Sequence, residues 1–396
     1  MNDYQAFLES KRLIAPSVGF EVAPQDLSPA LFDFQATIVR WALKKGRAAV
    51  FAYTGLGKTI MQLEWARLVA EYTGLPVLIL APLAVAQQTV SEGEKFGIPV
   101  TLCRSQADMR PGVNIANYEM LHHLDPQAFG GVVLDESSIL KNFSGVIKRR
   151  LIEAFRQTPF RLCCTATPAP NDTVELCNHA DFLGVMSPQE MVSIFFTPKG
   201  QDSAAGHFRL KAHARKHFWR WMASWSISLR RPSDLGFADE GFALPPLRIK
   251  HISVATDWKP EGQLFFTGLK GVTDRAQVRR STLEERGNEV VRLVAEEPEE
   301  QWLLWCGLND EGRAIRKLLT GAVEVQGPDT PEVKAAALQR FAAGDIRYLV
   351  TKPSIAGMGM NFQACARMAF VGLGDSFEAY FQALRRCWRL ALGRQP

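Results

Sequence analysis

From residue 47 the sequence alternates short apolar runs with longer amphipathic stretches, and that alternation leaves little choice of fold. RAAVFAY is followed by KTIMQLEWARLVAEYTG, PVLILAP by AVAQQTVSEGEKFG, GGVVLDE by FSGVIKRRLIEAF, and RLCCTAT closes the series. Apolar runs of this length, separated by segments long enough for helices, predict parallel strands covered by helices. A second series starts near residue 301, with QWLLWC, DEGRAIRKLL, AVEVQG, DTPEVKAAALQRFAAG, IRYLVTKP, RMAFVGL and SFEAYFQALRRCWRL. Within it Thr330 can cap a helix that opens at Pro331, and Gly344 can close it. The sequence thus predicts two α/β units. Residues 186 to 243 lack the alternation and read as a helical segment. LPPL at 244 to 247 reads as an extended connector, because each proline restrains the residue before it. The boundary falls there, giving units 1 to 243 and 244 to 396.

A chain of 396 residues, 47% apolar and 22% charged, is long enough for two cores. Its longest strongly apolar stretch, Pro76 to Ala86, is too short to cross a bilayer, and the first residues carry no apolar signal core. A cytoplasmic location is expected, with no membrane partner. Seven scattered cysteines without a CxxC pair read as reduced, structural thiols. A formal charge of +5 is compatible with a polyanionic partner without demanding one.

AYTGLGKT, Ala52 to Thr59, lies where a predicted strand gives way to a helix, the setting in which a tight loop aims backbone N–H groups at phosphate oxygens. Thr54, Gly55, Leu56, Gly57, Lys58 and Thr59 are the candidate nucleotide-binding residues. The glycines permit close approach, Lys58 would neutralise the β and γ phosphates of ATP, and the Thr59 hydroxyl would hold Mg²⁺. In GGVVLDESS an apolar run delivers Asp135 and Glu136 to the carboxyl end of a strand, the edge at which open α/β sheets bind ligands. Asp135 would reach Mg²⁺, and Glu136 would orient and deprotonate the attacking water. Near the end of the chain, on a helix that Ser376 can cap, Gln382, Arg386 and Arg389 fall at i, i+4 and i+7 and share a face, whereas Arg385 points elsewhere. Such a stripe is ordinarily solvent-facing. It also fits an arginine finger, in which guanidinium groups from a second domain stabilise charge on the transferring phosphoryl group.

Taken in order, these motifs resemble helicase superfamily 2, and most of all its Swi/Snf-type branch of DNA translocases in the compact version carried by bacteriophages. The resemblance covers residues 32 to 389. FDFQ, with Gln35, resembles the adenine-reading Q motif; AYTGLGKT resembles motif I, LAPLAVAQQ motif Ia and IANYEML motif Ib. DESS, Asp135 to Ser138, is similar to motif II, and TATP, Thr165 to Pro168, to motif III. WLLWCGLND stands in the place of motif IV, GMGMNFQ from Gly357 to Gln363 resembles motif V, and QALRRCWR from Gln382 to Arg389 resembles motif VI. The resemblance implies two tandem RecA-like domains with an ATP cleft between them, and catalysis by Lys58, Glu136, Gln382, Arg386 and Arg389. It adds Gln35, Gly357 and Gly359 to the nucleotide site. Thr165 and Thr167 would link that site to nucleic acid, with Pro82, Asn117 and Asn361 on the track. The implied track is DNA, duplex and of any sequence, with RNA left open; the branch favours translocation without strand separation. Two departures stand out. Ala52 takes the place of the first glycine of the loop, and the chain stops seven residues after Arg389, where family members usually continue with another strand and helix. The second domain is therefore expected to be incomplete.

The segment HFRLKAHARKHFWRWMASWSISLRR, 207 to 231, interleaves basic and aromatic residues. Phe218, Trp221 and Trp225 recur at helical spacing and predict a buried face, with the basic face a candidate duplex contact. His207, His213 and His217 lack cysteine or carboxylate partners at zinc spacing, so no metal is expected there. EEPEE near 297 reads as a solvated helix end.

Overall fold

The computed structural model describes residues 13–141, 145–198, 208–255, 272–356 and 362–388. It divides into two compact units, Met1–Phe242 and Ala243–Pro396. Among the described residues, no helix is long and apolar enough to cross a membrane.

In the first unit, α1 (Asp33–Lys45) leads into β1 (Arg47–Ala52), α2 (Lys58–Thr73), β2 (Val77–Ala81), α3 (Leu83–Lys95), β3 (Val100–Leu102) and β4 (Val113–Asn117). There follow β5 (Gly131–Asp135), α4 (Val146–Ala154), β6 (Phe160–Cys164), α5 (Leu176–Leu183), α6 (Pro188–Phe195), β7 (Phe196–Pro198), β8 (Phe208–Leu210), α7 (Arg215–Ala223) and β9 (Ser226–Leu229). Seven of these strands form one parallel sheet in the order β3-β4-β2-β5-β6-β1-β9. Every residue of the run VLILA in β2 is buried, as expected of a central strand with both faces covered. The helix α2 buries residues nearly all round, including Gln62 and Glu64. Glu64 pairs with Arg67 at 2.8 Å and accepts the Ser28 N–H at 2.7 Å, which fastens the segment before α1 to α2.

The reading of 186 to 243 as helical is corrected here. After α6, whose Ser187 cap accepts from the Glu190 N–H, β7 and β8 pair as an antiparallel hairpin. Beyond α7, β9 pairs in parallel with β1 and forms an edge of the large sheet. Its sequence SISL mixes small polar with apolar residues, as a half-covered edge strand allows, and so lacks the apolar run that marks the other strands.

The second unit contains α8 (Val272–Ser281), α9 (Leu283–Glu296), β10 (Trp302–Trp305), α10 (Asn309–Leu318) and β11 (Ala322–Glu324). It continues with α11 (Pro331–Ala343), β12 (Tyr348–Thr351), α12 (Pro353–Ala356), β13 (Arg367–Phe370) and α13 (Phe377–Leu384). Its four strands are parallel, in the order β11-β12-β10-β13. Side chains of β10 alternate between two cores, Trp302 and Leu304 with Val290 and Ile315, Leu303 and Trp305 with Phe341 and Phe362. The α11 helix starts and stops as the sequence predicts: the Thr330 hydroxyl accepts the Val333 N–H, Pro331 is first, and Gly344 closes it at φ 92°. Buried Glu311 pairs with Arg286 at 2.8 Å and accepts the Gly307 and Leu308 N–H groups, which sets the turn after β10. Both units are thus parallel α/β sheets flanked by helices, two tandem RecA-like domains.

Candidate functional site

Five neighbouring strands of the large sheet, β4-β2-β5-β6-β1, carry the predicted motifs at their carboxyl ends. Asn117 ends β4 and pairs in register with Ala81, whose successor is Pro82; Asp135 ends β5 and pairs with Cys164, whose successor is Thr165. Val50 of β1 also pairs with Cys164, and the phosphate loop follows β1. Residues up to 111 positions apart in sequence, Thr54 to Thr165, therefore gather along one edge, the edge at which parallel sheets of this type bind ligands.

The loop between β1 and α2 turns through Gly55 (φ 95°) and Gly57 (φ 75°). Gly57 is the N-cap of α2, and no side chain caps this helix, whose start is the kind of terminus that suits an anion. A Cβ at Gly57 would lie 2.3 Å from Gln35 Nε2. Gln35, buried in α1, accepts the Phe32 N–H at 3.0 Å and donates to the Leu56 carbonyl at 3.0 Å. Its amide ties FDFQ to the phosphate loop. The Lys58 ammonium donates to the carbonyls of Ala52 at 2.9 Å and Tyr53 at 3.5 Å, folded back over the start of its own loop. Thr59 stands beside it in the first turn of α2, half-buried. An uncapped helix start, a glycine-lined cradle and a lysine at its mouth fit the phosphates of ATP.

Asp135 Oδ1 accepts from Gln62 Nε2 at 2.8 Å and from the Glu136 N–H at 3.1 Å. Burial pushes this carboxyl above the usual carboxylate range, while the Gln62 hydrogen bond and the Lys58 charge pull it back. A desolvated carboxylate near the Thr59 hydroxyl's helix is a donor set suited to Mg²⁺. Glu136 is the one non-glycine residue with positive φ, 56°, among the described residues. Holding a side-chain-bearing residue there costs about 1 kcal/mol or more. Its Oε1 accepts from the hydroxyls of Ser138, at 3.2 Å, and Thr165, which in turn accepts the Thr167 N–H at 3.0 Å. The DESS and TATP segments are thus joined through a single carboxylate.

Sequence reasoning missed three supports of this site. Gln62 lies one helical turn after Lys58, the spacing that could have pointed to it. The Tyr118 hydroxyl, from the residue after Asn117, donates to the Asp135 carbonyl at 2.7 Å. His179, fully buried on α5, places Nε2 3.1 Å from the Ser137 hydroxyl.

In the second unit the structure corrects the length of the expected helix. α13 ends at Leu384, so Gln382 lies in the helix and Arg386 just beyond it. The Arg386 carbonyl accepts the Phe362 N–H at 2.9 Å instead of continuing the helix, and the Arg386 N–H makes a tighter bond to Ala383. Nor are Gln382 and Arg386 solvent-facing. Arg386 is 4% exposed and donates from Nε to the Gln382 carbonyl at 3.0 Å and from Nη2 to Gln382 Oε1 at 2.9 Å. Arg385, also buried, lies over the Trp388 ring at 4.7 Å. Arg389, Gly357, Gly359 and Asn361 fall outside the described residues.

Solved structures share this fold. A fragment of a putative HsdR subunit of a type I restriction enzyme from Vibrio vulnificus YJ016 is 15% identical, with a TM-score of 0.55 over 92% of this chain and 62% of that one. The SWI2/SNF2 ATPase core of Sulfolobus solfataricus in complex with dsDNA is 14% identical, with a TM-score of 0.47 over 89% of this chain and 84% of that one. The same core domain in a second structure gives 14% and 0.45 over 95% and 88%. At these identities the likeness is one of fold, and it rests on the HsdR fragment. No family model and no curated protein matches the sequence.

Proposed function

We propose that this chain is a nucleic-acid-dependent ATPase that translocates along DNA, with the duplex as its track. The observation that carries the reading is the convergence of the uncapped phosphate loop, the Asp135–Glu136 pair and Thr165 on adjacent strand ends, with Glu136 and Thr165 in direct contact. ATP would lie with its phosphates on the start of α2, and Thr59 and Asp135 would hold Mg²⁺, whose charge balances the phosphoryl oxygens. Lys58 exchanges its two loop carbonyls for phosphate oxygens. Glu136, fixed by Thr165 and Ser138, orients a water and accepts its proton. Because Thr165 also takes the Thr167 N–H, a shift of the TATP loop on nucleic acid moves the base relative to that water. Pro82 and Asn117, on neighbouring strand ends, are the proposed backbone contacts of the first unit, with Asn361 in the second.

Phosphate release in the presence of duplex DNA, single strands or RNA tests this. Duplex DNA is expected to stimulate most, and Glu136→Gln to lower turnover at least about a hundredfold while ATP still binds. ATP binding by the wild type with phosphate release no higher than in that variant, with or without DNA, would leave an ATP-gated clamp in place of a motor. Forked-duplex unwinding without triplex displacement would make it a strand-separating helicase instead.

A further inference from the structure

We propose that the outer face of α7 is a stacking platform for single-stranded DNA, centred on Trp219. The segment around it sends three aromatic side chains inward: Phe218, Trp221 and Trp225 are at most 1% exposed. Trp219 alone of that cluster faces out, at 50% exposure, with the edge of Phe218 bracing its ring at 5.1 Å between centroids. Trp219 lines a surface recess of about 670 Å³ with His213, Arg215, Lys216 and Arg220. Ala212, in the turn before α7, and Ala223, at its end, also line the recess, and their small side chains leave the indole uncovered. Among the described residues no carboxylate pairs with Arg215, Lys216 or Arg220.

A half-bare indole whose polar neighbours in the recess, among the described residues, are cations and a histidine matches one chemistry closely: a base stacks on the ring while the flanking phosphates meet the cations. A paired base hides its faces within the duplex, so the occupant is a single strand. The occupant assigned is single-stranded DNA, the nucleic acid already proposed as the substrate of this chain, and RNA is the alternative that the test separates. The platform lies on the stretch between β8 and β9, apart from the strand ends that carry the nucleotide chemistry.

The test is fluorescence anisotropy of the full chain, without nucleotide, with labelled oligo(dT) of about twenty residues, a duplex of equal length and oligo(rU). Trp219→Ala is expected to weaken oligo(dT) binding about tenfold, and Trp219→Phe to keep most of it. Arg215→Glu with Arg220→Glu is expected to weaken it and flatten its salt dependence. For Trp219→Ala, melting temperature, duplex binding and ATP hydrolysis without nucleic acid stay as in the wild type. Unaltered oligo(dT) binding by Trp219→Ala overturns the platform; an equal loss on duplex reduces it to a phosphate contact; tighter, Trp219-dependent oligo(rU) binding overturns the assignment to DNA. Because binding is read without ATP, loss of the ATPase reading leaves this result intact, and the reverse also holds.

Discussion

Gly57 is constrained twice over in the phosphate loop. Its φ of 75° excludes most side chains, and the space where a Cβ would sit is filled by Gln35 Nε2 at 2.3 Å. Two separate penalties therefore meet at one position, a left-handed backbone worth about 1 kcal/mol and a steric clash with a buried amide. Gly57→Ala is expected to weaken binding of a fluorescent ATP analogue at least about tenfold, since 1.4 kcal/mol is one decade. Adding Gln35→Ala removes the clash but leaves the backbone strain, so part of the lost thermal stability returns and affinity recovers only in part. If Gly57→Ala binds the analogue as the wild type does, this loop is not the phosphate cradle. The same crowding explains why Gln35 is best described by what it holds: both ends of its amide are engaged, one by Phe32 and one by Leu56.

Elements differ in how openly the sequence declares them. The strands that end in the phosphate loop and in Asp135 were legible because a long apolar run and a following glycine or acidic pair are local signals. β9 was not, since SISL gains its place from pairing with β1, a partner 177 positions earlier from Ala49 to Ser226. The end of α13 was hidden for the same reason: the Phe362 N–H that takes the Arg386 carbonyl comes from a distant segment. Gln62 reads as an ordinary helical residue until Asp135 is placed opposite it. His179 belongs to this set, and its position on α5 carries a prediction. Buried against Phe51 and the Ser137 hydroxyl, its imidazole is pushed down from 6.5 to about 4. Below about pH 6.5 the unfolded chain binds a proton that the folded chain refuses until about pH 4, so stability falls as pH drops through that window. The loss approaches roughly 3 kcal/mol at its acid end. Denaturation curves at neutral and mildly acidic pH are expected to show a smaller drop for His179→Gln than for the wild type. An equal drop would mean that other groups govern the acid sensitivity of this unit.

At the scale of the whole molecule the two units are unequal. Among the described residues, the phosphate loop and the acidic pair belong to the first sheet, while the second contributes Gln382 and Arg386 at the end of α13. Arg386 is not a loose surface cation: two hydrogen bonds to Gln382 fix its guanidinium plane, and Gln382 Nε2 is itself buried with no partner among the described residues. An arginine fork binds phosphoryl oxygens in a plane that lysine would not reproduce. If Arg386 acts as the arginine finger, hydrolysis requires a residue from each unit. Arg386→Lys is then expected to lower turnover about a thousandfold while affinity for the ATP analogue stays within a few fold of wild type. Arg386→Ala serves as the harsher variant, with its melting temperature showing whether the fold of the second unit survives the empty site. Gln382→Ala is expected to fall between wild type and Arg386→Lys, because it removes one of the two bonds that orient the guanidinium and leaves the charge in place. Wild-type turnover by Arg386→Lys and Arg386→Ala alike would confine the chemistry to the first unit and end the case for a two-domain motor.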